Sequence, residues 1–196
     1  GRPWGPRRRR YDNAGTAAAE IEDPAFVPDR TLEDGERLAI GDLTLRAIHT
    51  PGHASNHLCF LVEEDGLLFS GDHINNGSTV VINPPDGNMK EYLDALERLA
   101  QMPLTYILPA HGYVIGFANQ AIRHLIAHRL GREKKVVDAL RRVGGGGTLE
   151  QLLPVVYDDV RPALHPVASR SLIAHLEKLE EDGVVRADGQ RWSLAA

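Results

Sequence analysis

The chain has 196 residues, 42% of them hydrophobic and 25% charged, with a formal net charge of −5 and one cysteine. That composition is globular rather than disordered, and the length suits one large or two small domains. The acidic balance argues against a nucleic-acid backbone as the main partner, the lone cysteine excludes an internal disulfide, and no run approaches the roughly 18 apolar residues that a membrane span needs.

Gly1 to Gly15 is polar and carries the run Arg7 to Arg10. Residues 1–20 are therefore expected to be a disordered or poorly ordered segment. Because the chain begins at Gly1 without a methionine, it is expected to be an N-terminally shortened version of a longer protein. Between Thr31 and Thr50, short alternating runs broken by Asp34-Gly35 and Gly41-Asp42 predict strands in a meander. Leu58 to Val62 and Leu67 to Ser70 flank Glu64-Asp65-Gly66 and read as a hairpin, with Cys59 in its apolar part as a core residue. Asn88-x-x-Glu91 has the form of a capping box, and Leu93, Leu96 and Leu99 recur at helical spacing until Pro103 stops the helix. Tyr106 to Leu108 is then a short strand.

From Ala118 to Val143 the spacing predicts helix, with Gly131 as a point where it kinks or divides. Gly144 to Gly147 reads as a flexible joint, and Thr148 to Gln151 as a second capping box that opens a short helix. A turn bracketed by Pro162 and Pro166 leads to a helix from Val167 to Asp182 that buries Leu172, Leu176 and Leu179. Val184 to Ala187 and Gln190 to Ser193 close a hairpin on Asp188-Gly189. Three helices and then a hairpin is the layout of a winged helix. The expected division is thus residues 1–20, a domain over 21–130 and a winged-helix-like domain over 131–196.

Three places carry chemistry. His53 follows the Pro51-Gly52 turn after an apolar strand, Asp72 follows Phe69-Ser70-Gly71, and His111 follows Leu108-Pro109-Ala110. Each is an apolar run, a small-residue turn and then a side chain able to bind a transition metal. Imidazole and carboxylate suit Zn²⁺ and similar ions, and residues so far apart converge only where a sheet aligns its strand ends along one edge.

In this order the three motifs resemble the metallo-β-lactamase superfamily of metal-dependent hydrolases. The winged-helix layout extends the resemblance to its lactamase-B-like branch, some of whose members are endoribonucleases. The resemblance implies an α/β (α+β) fold, the C-terminal half of an αββα sandwich followed by a small winged-helix domain. It makes His53 a ligand of a first metal, Asp72 the carboxylate that bridges two metals, and His111 a ligand of the second. The superfamily's His-x-His-x-Asp-His motif, which supplies most remaining ligands, is absent here, since all nine histidines lie at His49 or later.

By the same resemblance the chain is a cytoplasmic hydrolase using Zn²⁺, two ions per complete site. The metals would lower the pKa of a bridging water toward 7, so that hydroxide attacks an ester, thioester or phosphodiester. With only part of the ligands present, weak Zn²⁺ binding and little or no hydrolysis are expected. Substrate is a small-molecule ester or thioester, or RNA. The acidic balance favours the small molecule. The alternative is a catalytically dead interaction or nucleic-acid-binding winged-helix module.

His57 is assigned to catalysis with Asp72, as a contact to a ligand or to substrate, beside the plainer reading of a partly exposed histidine at a strand start. Strand alternation points His49 and His73 away from their ligand neighbours. His124, His128, His165 and His175 read as surface or core residues. From Gly131 to Ala196 ten Lys or Arg balance ten Asp or Glu. The last helix sets Arg170 and Lys178 against Glu177, Glu180, Glu181 and Asp182, a face that repels phosphates. Duplex DNA is thus not an expected partner. The winged helix is expected to pack on the hydrolase or to mediate self-association into a homo-oligomer, and no membrane partner is expected.

Overall fold

Turn residues and apolar alternation build the first sheet. In the computed structural model, which describes residues 29–195, the strands β1 (Arg37–Ile40), β2 (Leu43–His49), β3 (Leu58–Val62) and β4 (Leu67–Gly71) form the expected meander of antiparallel neighbours. The segment 1–20 lies outside the described residues. After β4 the chain crosses through α1 (Met89–Ala100) to β5 (Tyr106–Pro109), which pairs with β4 in parallel. β6 (Ile115–Gly116) closes the far edge, giving the order β1-β2-β3-β4-β5-β6.

Register explains the core. Ile48 lies opposite Cys59, Leu61 opposite Leu68 and Leu68 opposite Ile107, and since side chains alternate across a pleated sheet these residues share one face. All are buried, together with Tyr92, Leu96 and Leu99 of α1. The Asn88 side chain accepts a hydrogen bond from the Glu91 amide at 3.0 Å and so starts α1. Each such leucine contributes roughly 1.5–3 kcal/mol by leaving water. The opposite face is apolar too, carrying Leu45, Val62, Leu67 and Tyr106 in one row and Ala47, Phe60, Phe69 and Leu108 in the next. A sheet apolar on both faces is one layer of a sandwich.

Two sequence expectations fail in the next segment. α2 (Ala118–Arg142) is one helix running unbroken through Gly131, whose missing side chain faces open space. It does not divide there because its buried stripe never breaks. Ile122 and Ile126 join the first core, while Val136, Ala139 and Leu140 join a second. The expected boundary at 130/131 therefore falls within a continuous helix shared by both cores.

Nor is the glycine tract a flexible joint. Gly146–Thr148 forms β7, which pairs with β9 (Arg191–Leu194), itself paired with β8 (Val185–Asp188). The Leu194 amide donates to the Gly145 carbonyl at 3.0 Å and Arg191 Nη2 to the Gly146 carbonyl at 3.1 Å, so the ladder holds the tract.

α3 (Leu149–Val156) begins at the predicted box, with Gln151 Oε1 accepting the Thr148 amide at 3.0 Å. A 3₁₀ turn (Pro162–Leu164) precedes α4 (His165–Glu181), two residues earlier than predicted because Pro166 is accommodated in the first helical turn, where its missing N–H costs nothing. Leu152, Val156, Leu172, Leu176 and Trp192 fill the second core. Ala174 of α4 reaches the first core instead, so the winged helix packs on the larger unit. Among the described residues no helix is long and apolar enough to cross a membrane.

Candidate functional site

β2, β4 and β5 run in one direction, so their C-terminal ends share one edge of the sheet, and the three chemical loops leave from there. Asp72 stands just past β4. The Gly71 carbonyl accepts the Ala110 amide at 3.0 Å, tying this end to the loop that carries His111. Gly71 has φ +52°, and a Cβ there would lie 2.7 Å from His57 Nε2, so glycine is required on both counts.

His111 is set by the segment that follows Asp72. The Asn76 amide donates to the His111 carbonyl at 3.1 Å, and Asn76 Nδ2 donates to the Tyr113 carbonyl at 3.0 Å. Gly112, at φ +96°, lies so close that a Cβ would sit 2.2 Å from the Asn76 carbonyl oxygen. The outcome is His111 Nε2 3.3 Å from Asp72 Oδ1, with both side chains open to solvent.

His53 is held differently. The Gly52 carbonyl accepts the Asn88 amide at 2.8 Å, docking the turn on the start of α1. His53 Nδ1 lies 2.9 Å from the Val81 carbonyl. A carbonyl only accepts, so Nδ1 carries the proton and Nε2 presents a lone pair, the arrangement that orients a metal-ligating histidine.

Between these groups runs a file of rings. His53 and His57 centroids are 6.5 Å apart, His57 and His73 5.6 Å, and His73 and Tyr92 4.8 Å. His57 Nδ1 lies 2.8 Å from Thr50 Oγ1, whose hydroxyl donates to Cys59 Sγ. Burial, reinforced by the electrostatic effect of the neighbouring His53, lowers the His57 pKa to about 4. It is therefore neutral near pH 7 and fills the space between the His53 turn and the Asp72 strand end. His73 is wholly buried, and burial pushes its pKa well below the usual histidine range. His49 Nε2 instead meets the Ser55 carbonyl at 2.9 Å. Burial raises the Cys59 thiol to about 12, which rules it out as a thiolate nucleophile.

The structure thus brings Asp72 and His111 together and sets His53 at the same edge with an oriented Nε2. Among the described residues no three His, Cys, Asp or Glu side chains converge on a single ion. Borderline metals accept such nitrogen and oxygen donors, and the donors present would make part of a metal site rather than a closed one. A cavity of about 490 Å³ beside Ile74 is lined by Asn76, Thr79, Ile115, Phe117 and His128.

Sequence reasoning missed Asn76, Tyr92 and Arg129. For Arg129 a signal existed, since it follows Ile122 and Ile126 on the apolar stripe of α2, and it is only 3% exposed. For Asn76 none did.

The sequence profile of the metallo-beta-lactamase superfamily matches residues 2–111, and that of the beta-lactamase associated winged helix domain matches residues 148–192. The lactamase-like protein aptB of Emericella nidulans is 36% identical over 83% of this chain and 56% of its own length. The atrochrysone carboxyl ACP thioesterase nsrC of Aspergillus novofumigatus is 31% identical over 83% of this chain and 53% of its own. Among solved structures, a metallo-beta-lactamase family protein from Thermus thermophilus is similar at TM-score 0.71 and 28% identity, covering 83% of this chain and 53% of that one. A beta-lactamase domain protein from Burkholderia ambifaria reaches TM-score 0.74 at 26% identity, covering 87% and 54%. The chain spans about half the length of the curated relatives it matches. It belongs to the metallo-beta-lactamase superfamily and carries that superfamily's associated winged helix.

Proposed function

We propose that this member of the superfamily is a metal-dependent hydrolase of small-molecule thioesters or esters, with Asp72 shared between two ions, His53 on the first and His111 on the second. One observation carries the reading: Asp72 and His111, 39 residues apart, meet at 3.3 Å on the edge where His53 turns out Nε2. When bound, Zn²⁺ supplies Lewis-acid polarisation of the scissile carbonyl and a water acidic enough to attack near neutral pH.

The chain's own residues set the stage for that chemistry. Val81 fixes the His53 tautomer, Asn76 holds the His111 loop against the Asp72 strand end, and neutral His57 spaces the two halves without moving a proton at pH 7. Open exposure of Asp72 and His111 leaves room for substrate on the solvent side. The cavity beside Ile74 is lined largely by apolar and uncharged polar side chains, Ile115, Phe117, Leu125, Thr79 and Gln120 among them, together with His124 and His128, and it offers room for an acyl group. That a relative is named a thioesterase points the same way.

With three ligands divided over two positions, the chain binds Zn²⁺ weakly and turns over slowly. The test is cleavage of a small aryl thioester by the purified chain, with and without added Zn²⁺. At most slow hydrolysis, requiring Zn²⁺ and lost in Asp72→Ala, is expected. Zn²⁺-independent turnover would overturn the reading, and Zn²⁺ binding that Asp72→Ala leaves unchanged would overturn it in favour of a non-catalytic interaction module.

A further inference from the structure

We infer that Arg129 is a positioning residue for both halves of the candidate site, an inference that rests on the metal-site reading above. Arg129 lies on α2, a helix that carries none of the proposed ligands, and is buried at 3% exposure. Among the described residues no carboxylate pairs with it. A buried guanidinium without a counter-ion is costly, so its neutral contacts matter.

Those contacts lead to the site by two short routes. Arg129 Nη2 donates to the Val80 carbonyl, and the next carbonyl in the chain, that of Val81, accepts the proton of His53 Nδ1 at 2.9 Å. Arg129 thereby fixes the segment that chooses the His53 tautomer. Its guanidinium also sits over the Tyr92 ring, 5.3 Å from the centroid. The Tyr92 hydroxyl donates to the His73 carbonyl at 3.0 Å, and His73 directly follows Asp72. Tyr92 also supplies the backbone against which Gly52, the residue before His53, is packed. One cation thus braces the His53 carbonyl clamp through Val80 and the Asp72 strand end through Tyr92.

A merely structural arginine would lower stability without selecting a ring nitrogen. The decisive readout is therefore the tautomer of His53 in the metal-free full chain, read from the nitrogen shifts of its imidazole, with Zn²⁺ affinity measured alongside. In Arg129→Met the Nδ1-protonated form of His53 should lose its dominance, and Zn²⁺ should bind roughly 10–100-fold more weakly, the usual loss when a ligand's orienting partner is removed. Arg129→Lys keeps a cation that can reach one carbonyl and should restore the Nδ1-protonated form at least in part. If Arg129→Met does not fold, Tyr92→Phe decides. Tyr92→Phe should shift the backbone amides of Asp72 and His73 while leaving the His53 tautomer intact. An unchanged His53 tautomer in Arg129→Met, or a Tyr92→Phe effect that is the same at His53 and Asp72, would overturn the inference. Failure of wild type to bind Zn²⁺ would instead count against the metal-site reading and leave the tautomer result standing.

Discussion

Gly112→Ala tests how the His111 loop is held. The new Cβ would lie 2.2 Å from the Asn76 carbonyl oxygen, 2.8 Å from its Cβ and 2.9 Å from its carbonyl carbon, two of the three being backbone atoms that cannot swing aside. The residue would also have to hold φ +96°, a cost of roughly 1–2 kcal/mol or more for an L side chain. Separating the two segments breaks the bond from the Asn76 amide to the His111 carbonyl, worth about 0.5–1.5 kcal/mol. Together these give roughly 1.5–3.5 kcal/mol of destabilisation, which for a chain of this size lowers Tm by about 3–14 °C. Thermal unfolding followed by circular dichroism reads the shift, and the imidazole resonances of His111 should move as it leaves Asp72. Gly131→Ala is the control: the glycine is mid-helix with open space around it, so alanine should stabilise by about 0.5–1 kcal/mol. A Gly112→Ala variant melting within about 1 °C of wild type, with His111 unmoved, would refute the packing reasoning.

Three further outcomes are expected. His175 is fully buried with both ring nitrogens unpartnered, and burial, aided by the charges of Arg129 and Arg132, lowers its pKa to about 3. The unfolded state then binds a proton that the folded state refuses, so this residue leaves stability intact above pH 6.5 and erodes it as pH falls toward 3, by about 2 kcal/mol at pH 5. Urea unfolding at pH 7 and pH 5 should show that slope flattened in His175→Leu, and an identical slope would contradict it. Cys59, buried with its thiol raised to about 12, should resist iodoacetamide in the native state at pH 8 and react only on unfolding; rapid native labelling would contradict its place in the core. The winged helix should not bind duplex DNA through α4, because Lys178 is already engaged by Glu133 at 2.9 Å and Asp182 at 2.6 Å. Submicromolar binding of random duplex with a steep salt dependence, a log–log slope of roughly 0.9 for each phosphate contacted, lost in Arg170→Ala, would sink this.

What could be read in the sequence followed from local pattern. Asn88 capped α1, and Leu96 and Leu99 went to the core, because a 3.6-residue period states which face is apolar. The loops carrying His53, Asp72 and His111 leave one sheet edge because each follows a strand of the same direction. What could not be read depends on contacts distant in sequence. Gly146 and Gly147 carry no side-chain pattern, and only the ladder with β9 makes them a strand. Gly131 invites a break in α2, yet packing into two cores keeps the helix continuous through it. The place of Arg129 on the apolar stripe of α2 hints at burial, but its partners, Val80 and Tyr92, are distant in sequence. The meeting of Asp72 with His111 rests on Asn76 and Gly112, a backbone fit that no residue-type rule announces.

A Zn²⁺ titration followed through the histidine imidazole resonances tests most directly whether His53, Asp72 and His111 bind metal. His53 and His111 should shift, His57 should not, and both responses should weaken at least about tenfold in Asp72→Ala. A response centred on His57, or one that Asp72→Ala leaves untouched, would contradict the assignment.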